Sequence, residues 1–202
     1  MLEFNHINPN YSDFAYRLEE FFQLIDFQDQ RLTKLDALLL YSLVRGTRPQ
    51  RVLEIGRCHG TSTMTISGGL CDNNHGHLDS VDIEDSTDQV IKHLIKNWAT
   101  TYVLNSNEIL QHPTLQRQKY EMFFVDGDHS IPQQIDDIET CLYLGKENCW
   151  IVLHDANLVE THRAIDLAKS LHPQLMDAGR LGDQLHLLKS NRTGTVPHHV
   201  RG

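Results

Sequence analysis

The chain has 202 residues, of which 40% are apolar and 22% charged, and a formal net charge of −9. Such a length and balance suit one soluble globular domain that buries about 70% of its unfolded surface. They argue against a membrane span, because no apolar run approaches the ~18 residues one needs, and against nucleic acid as a partner, because phosphates demand a basic face.

The opening stretch "MLEFNHINPNYSDF" has neither a basic start nor an apolar centre, so no export signal is expected. Residues 11–27 carry Phe14, Leu18, Phe21, Phe22 and Ile25 at helical spacing, and residues 32–45 do the same with Leu32, Leu35, Leu39 and Leu43. These helices, within residues 1–48, are expected to pack on the main domain, covering its site or offering a homodimer face. "TRPQ" breaks the second run, and "RVLEI" (51–55) reads as a short buried strand.

Alternation follows. Strands are expected at 77–81 ("HLDSV"), 102–104 ("YVL"), 122–125 ("MFFV") and 150–153 ("WIVL"). Helices are expected at 61–70, 87–98, 131–144 and 160–171, with a surface turn and short helix at 112–120. This order predicts an α/β fold, a Rossmann-like doubly wound and mostly parallel sheet with helices on both faces. "QLMDA" and then "GRLGDQLHLLKS" read as an antiparallel edge hairpin closing it. The core domain spans 49–190, and 191–202 form a polar tail. Cys58, Cys71, Cys141 and Cys149 make no CxxC pair. Buried free thiols in a reducing cytoplasm are the expectation, with Trp98 and Trp150 in the core.

The polar residues gather at the carboxyl ends of the strands. Glu54, Gly56 and Gly60 follow the first strand, Asp82 and Glu84 the second, and Asn105, Ser106 and Asn107 the third; Asp126 ends the fourth, and His154 with Asp155 the fifth. Ligands bind along that edge in open α/β sheets. Gly56 lets the chain leave the strand tightly, Gly60 permits a close approach by ligand or helix, and Thr61 and Ser62 are placed to cap the next helix. A P-loop is excluded because the turn has no lysine, and a dinucleotide fingerprint because Cys58 and Thr61 fill two glycine positions. What remains suits a nucleoside-type ligand bearing a carboxylate or amine. Asp82, 26 residues after Gly56, could accept hydrogen bonds from ribose hydroxyls, or could simply be a solvated turn residue.

These stretches resemble the class I S-adenosylmethionine-dependent methyltransferases. "VLEIGRCHGTST" is similar to their first motif and "LDSVDIED" to their acidic second one. "FFVDGDHS" followed by "WIVLHDA" resembles the branch that includes small-molecule and sugar O-methyltransferases. The resemblance covers about residues 33 to 190. It implies that Glu54, Gly56 and Gly60 line the methionine portion of S-adenosylmethionine, that Asp82 holds the ribose, that Ser106 sits near the adenine, and that Asp126 borders the cofactor. In metal-dependent relatives the matching positions, Asp126, His154 and Asp155, bind magnesium or manganese. His154 stands where a carboxylate or amide would be expected, which shifts the preference toward manganese, iron or zinc. The resemblance also implies that His129, three residues after Asp126, is a general base, which its ordinary pKa suits. Asp128 either orients the His129 ring or is a turn residue.

The function expected is O-methylation of a small hydroxylated molecule. Two rivals remain: a catalytically silent cofactor-binding protein, and a metal-dependent hydrolase or hydroxylase using the same rim.

Overall fold

The computed structural model describes residues 32–87 and 89–191. The helix expected over 11–27, its dimer face and the tail from 192 onward lie outside the described residues. Helix α1 (Lys34–Thr47) starts at Thr33, whose hydroxyl accepts the Asp36 N–H at 3.1 Å while donating to the Asp36 carboxylate. It stops at Arg48, in left-handed conformation, just before Pro49.

The remaining elements alternate as expected: β1 (Arg51–Ile55), α2 (Thr61–Asn73), β2 (His77–Asp82), α3 (Gln89–Ile95), β3 (Ala99–Val103), β4 (Tyr120–Val125), α4 (Ile131–Leu144), β5 (Gly145–Leu153), α5 (Val159–Leu171), β6 (Leu175–Leu181) and β7 (Leu185–Ser190). Short 3-10 turns fall at Ser106–Glu108 and Leu115–Arg117. The third strand begins three residues before the expected "YVL", and α3 is shorter than the expected 87–98.

One seven-stranded sheet runs β3-β2-β1-β4-β5-β7-β6. β1 to β5 are parallel, and β7 pairs antiparallel with both β5 and β6, giving the expected edge hairpin. Period-two alternation splits the apolar residues between two faces. Val52, Leu78, Met122, Phe124 and Val152 pack under α1, α2 and α3. Leu53, Ile55, Val81, Phe123, Val125, Ile151 and Leu153 pack under α4 and α5. Each fully buried side chain of this kind contributes about 1.5–3 kcal/mol. Trp98 and Trp150 pack against the first of these cores while keeping some exposure. Cys141 and Cys149 are buried free thiols, but Cys58 is exposed, because it sits on an outward turn at φ +47° rather than in the core. No helix among the described residues is long and apolar enough to cross a membrane.

Chain order reverses between β1 and β4, whose outward connections run to opposite sides. A crevice opens at such a switch point, outside the strand ends.

Candidate active site

The strand ends are in register. Ile55 pairs with Val81 and Val125, Asp82 with Val103, and Val125 with Leu153. The residues that follow therefore come out side by side: Gly56, Asp82, Asp126 and Asp155 share one edge. Main-chain bonds continue the sheet past its last pairs. Gly56 N donates to Val81 O at 2.9 Å, Asp126 N to Ile55 O at 2.8 Å, and His154 N to Val125 O at 3.0 Å.

Gly56 has φ +88°, and a Cβ there would lie 2.1 Å from the Asp126 carbonyl oxygen. No side chain fits, so the turn after β1 rests directly on the turn after β4. Gly60, at φ +97°, is packed against protein rather than open to a ligand: a Cβ would meet Thr87 at 2.8 Å and Ile91 at 3.1 Å. Gly60 is also the N-cap of α2 and makes no side-chain cap bond. Thr61 and Ser62, expected to cap, lie inside the first turn and are buried.

Glu54 is fully buried. Its Oε2 accepts the Thr63 hydroxyl at 2.6 Å and the Ser80 hydroxyl, while Oε1 has no hydrogen-bond partner. Burial raises its pKa against the pull of Ser62, Ser80, Thr63 and the nearby Arg57 charge. Glu54 thus links the first turn of α2 to β2. Asp82 is half-buried and accepts three main-chain N–H groups: Arg57 at 2.7 Å and Cys58 at 2.8 Å on Oδ2, Glu84 at 3.1 Å on Oδ1. Desolvation pulls its pKa up, but these bonds outweigh it and leave the pKa lowered, so Asp82 is a fixed carboxylate. Ser106 opens the 3-10 turn after β3, where its hydroxyl oxygen accepts from Gln133 Nε2 at 3.1 Å.

Sequence reading passed over Arg57, a charged residue in a turn. It is 2% exposed. Its guanidinium donates to Thr87 Oγ1 at 2.7 Å, to Ser80 O at 3.0 Å and Oγ at 3.3 Å, to Tyr102 O at 3.4 Å and to Glu84 O at 3.2 Å. The one signal that could have exposed it is its position between Gly56 and Gly60, where the chain doubles back over the strand ends.

On the β4–β5 side of this edge, His154 is buried with its Nδ1 3.1 Å from Asp126 Oδ1 and 3.3 Å from Asp155 Oδ2. Burial alone would lower its pKa, yet the two carboxylates lift it to about 10. Asp155 holds a left-handed φ of +50°, which costs a residue with a Cβ about 1 kcal/mol or more. Hydrogen bonds from His129 and His154 hold its carboxyl far below the usual range. His129 is partly buried. Its Nδ1 lies 2.7 Å from the Gly127 carbonyl, so that nitrogen must carry a proton, and its Nε2 is bonded to Asp155. The Asp155 bond, working against desolvation, raises its pKa. Asp128 makes no bond to this ring; it accepts the Ser130 N–H at 2.6 Å as a turn residue. Gln134, buried on α4, fixes the loop by donating to the His129 carbonyl at 2.8 Å.

Could Asp126, His154 and Asp155 hold a cation? One donor atom from each lies within 4.8 Å of the others, the one such cluster among the described residues. Two ring nitrogens, His154 Nδ1 and His129 Nε2, serve the two carboxylates, so a cation bound here would replace the His154 proton between them. Two carboxylates and an imidazole suit manganese, iron or zinc better than magnesium, which favours oxygen alone. His154 Nε2 is buried without a partner, so the outer hydrogen bond that usually orients a ligating histidine is missing. The donor set fits a borderline divalent cation.

A family model described as a methyltransferase domain matches residues 53–156. No curated protein matches by sequence. Among solved structures, cofactor-bound Rv0187 from MTB is 18% identical, with a TM-score of 0.68, covering 89% of this chain and 90% of that one. The O-methyltransferase TomG from Streptomyces achromogenes, involved in tomaymycin synthesis and crystallised with SAM, is 16% identical at TM-score 0.64, covering 95% and 100%. An O-methyltransferase from Bacillus cereus in complex with SAH is 15% identical at TM-score 0.58, covering 92% and 94%. At such identities the likeness to these structures is one of fold, whereas the family match spans just over half of the sequence. The chain belongs to the methyltransferase-domain family, with the Rossmann-like fold of S-adenosylmethionine-dependent methyltransferases.

Proposed function

We propose that this methyltransferase uses S-adenosylmethionine to methylate a hydroxyl oxygen of a small molecule, on the Asp126–His129–His154–Asp155 side of the crevice. The carrying observation is the juxtaposition at the switch point. The glycine turn and the fixed carboxylate of Asp82 lie on one side, the carboxylate–imidazole cluster on the other, and Gly56 lies directly against Asp126. Two structural relatives are O-methyltransferases with SAM or SAH bound, which supports the donor.

S-adenosylmethionine, when bound, supplies an activated methyl on a sulfonium. The residues we assign to it are Gly56 in the turn, whose shape Gly60 fixes by packing on Thr87 and Ile91, Asp82 through the open side of Oδ1, Ser106 beyond β3, and Asp126 at the border. A divalent cation, if held by Asp126, His154 and Asp155, would lower the acceptor hydroxyl's pKa. The chain's own work is alignment of donor and acceptor, which can supply several kcal/mol of the barrier, and removal of the hydroxyl proton. His129 is suited to the second task once Asp155 no longer engages Nε2. As it stands, both its nitrogens are occupied. That observation favours a second reading, a silent cofactor-binding protein.

Calorimetric titration with S-adenosylhomocysteine tests the pocket; absence of binding would remove both readings. Transfer of labelled methyl to a panel of catechols, sugars and hydroxy acids, with EDTA and with manganese or magnesium restored, separates enzyme from binder. Binding without transfer to any of them favours the second reading.

A further inference from the structure

We infer that Arg57 is a positioning residue for the nucleoside half of the cofactor, acting through Asp82 and the segment after it. This rests on the reading of Asp82 as the ribose-binding carboxylate.

Residues 83–87 have no regular structure, yet the carboxylate that precedes them is held by three N–H groups. The anchor is Arg57. Its main-chain N–H binds Asp82 Oδ2 directly, and its guanidinium reaches past Asp82 to Glu84 O and Thr87 Oγ1. The same guanidinium bonds the carbonyls of Ser80 on β2 and Tyr102 on β3. One side chain therefore ties the turn after β1 to the ends of β2 and β3 and to the loop that carries the Glu84 N–H.

None of these acceptors is a carboxylate. A buried guanidinium normally sits against an acid, because an unpaired buried charge is costly. Here the acidic groups lie one step away: Glu54 is linked through the Ser80 hydroxyl, which Arg57 also touches, and Asp82 accepts the Arg57 main-chain N–H. The Asp82 carboxylate is thus left with one side of Oδ1 free for an incoming ligand instead of being consumed by a salt bridge. A residue needed only for folding could have paired with Asp82 outright.

The test uses the full chain with Arg57→Met and Arg57→Lys, measuring S-adenosylhomocysteine and adenosine affinity together with methyl-transfer kinetics. Arg57→Met should weaken both ligands by a similar factor, about tenfold or more, and the loss should fall on KM for S-adenosylmethionine and not on kcat. Arg57→Lys should recover part of it. Wild-type affinity in Arg57→Met, or a loss borne mainly by kcat, would overturn the inference. If Arg57→Met does not fold, Thr87→Val replaces it, removing the acceptor of Nε alone; it should weaken adenosine binding about threefold or more, and unchanged binding would overturn the inference too. Failure of the wild type to bind S-adenosylhomocysteine strikes instead at the reading of the site.

Discussion

Asp126 and His154 meet across the β4–β5 boundary, carboxylate Oδ1 to ring Nδ1 at 3.1 Å, with Asp155 closing the triangle. A cation drawn to this triangle should be one that accepts nitrogen. Manganese or zinc at a hundredfold excess over its dissociation constant should add about 2.7 kcal/mol, a rise in melting temperature of about 5 °C or more. Magnesium should do less. Asp155→Asn should lose most of the manganese or zinc shift. Thermal unfolding of both proteins with each ion checks this, and equal shifts in wild type and variant would refute it.

Asp82→Asn should weaken S-adenosylhomocysteine binding by about tenfold to a hundredfold. The substitution turns an amide N–H₂ toward main-chain donors that now find lone pairs, so the turn loses its fixed geometry as well as its charge. Titration calorimetry reads the loss directly.

Gly56→Ala should be among the most disruptive single-methyl additions in the chain. The new carbon would fall 2.1 Å from main-chain oxygen of Asp126, which cannot rotate away, and φ is +88°. A loss of about 3 kcal/mol or more is expected, seen as a lower denaturation midpoint in urea.

Asp137 gives a pH signature away from the reacting groups. It lies on α4, 2% exposed, with Oδ1 accepting Gln133 at 2.9 Å and Oδ2 without a partner. Burial pushes its pKa up to about 6, from 3.8 in the unfolded chain. The native state therefore binds this proton more tightly than the unfolded state does. Its contribution to stability is complete below about pH 4 and is lost as pH rises through about 6, amounting to about 2–3 kcal/mol. Asp137→Asn should remove that loss, so its advantage over wild type should grow between pH 4.5 and 7.5 in urea unfolding. A constant difference across the range would contradict the assignment.

The sheet was legible because a parallel strand buried on both faces has to be apolar throughout, as Met122 to Val125 are. β3 was misjudged by three residues for the same reason. It is an edge strand, and Thr100, Thr101 and Val103 face solvent, so no apolar run marks where it starts. The row of polar residues along one edge could be read as soon as the strands were taken as parallel. What each residue touches could not. Arg57 is buried by carbonyls from three separate segments, and Asp155 reaches His129 across 26 positions, relations that spacing does not encode. The capping role expected of Thr61 and Ser62 failed because the helix begins on Gly60, where contact with Thr87 and Ile91 leaves no room for a side chain.

The absence of any gap between Gly56 and Asp126 limits how this protein could be adapted. In the proposed function, donor and acceptor halves rest on a single continuous ledge, cross-linked strand by strand, and cannot be prised apart to admit a bulkier substrate. Widening the range of acceptors is a task for segments overhanging that ledge, whereas alterations within it trade directly against folding.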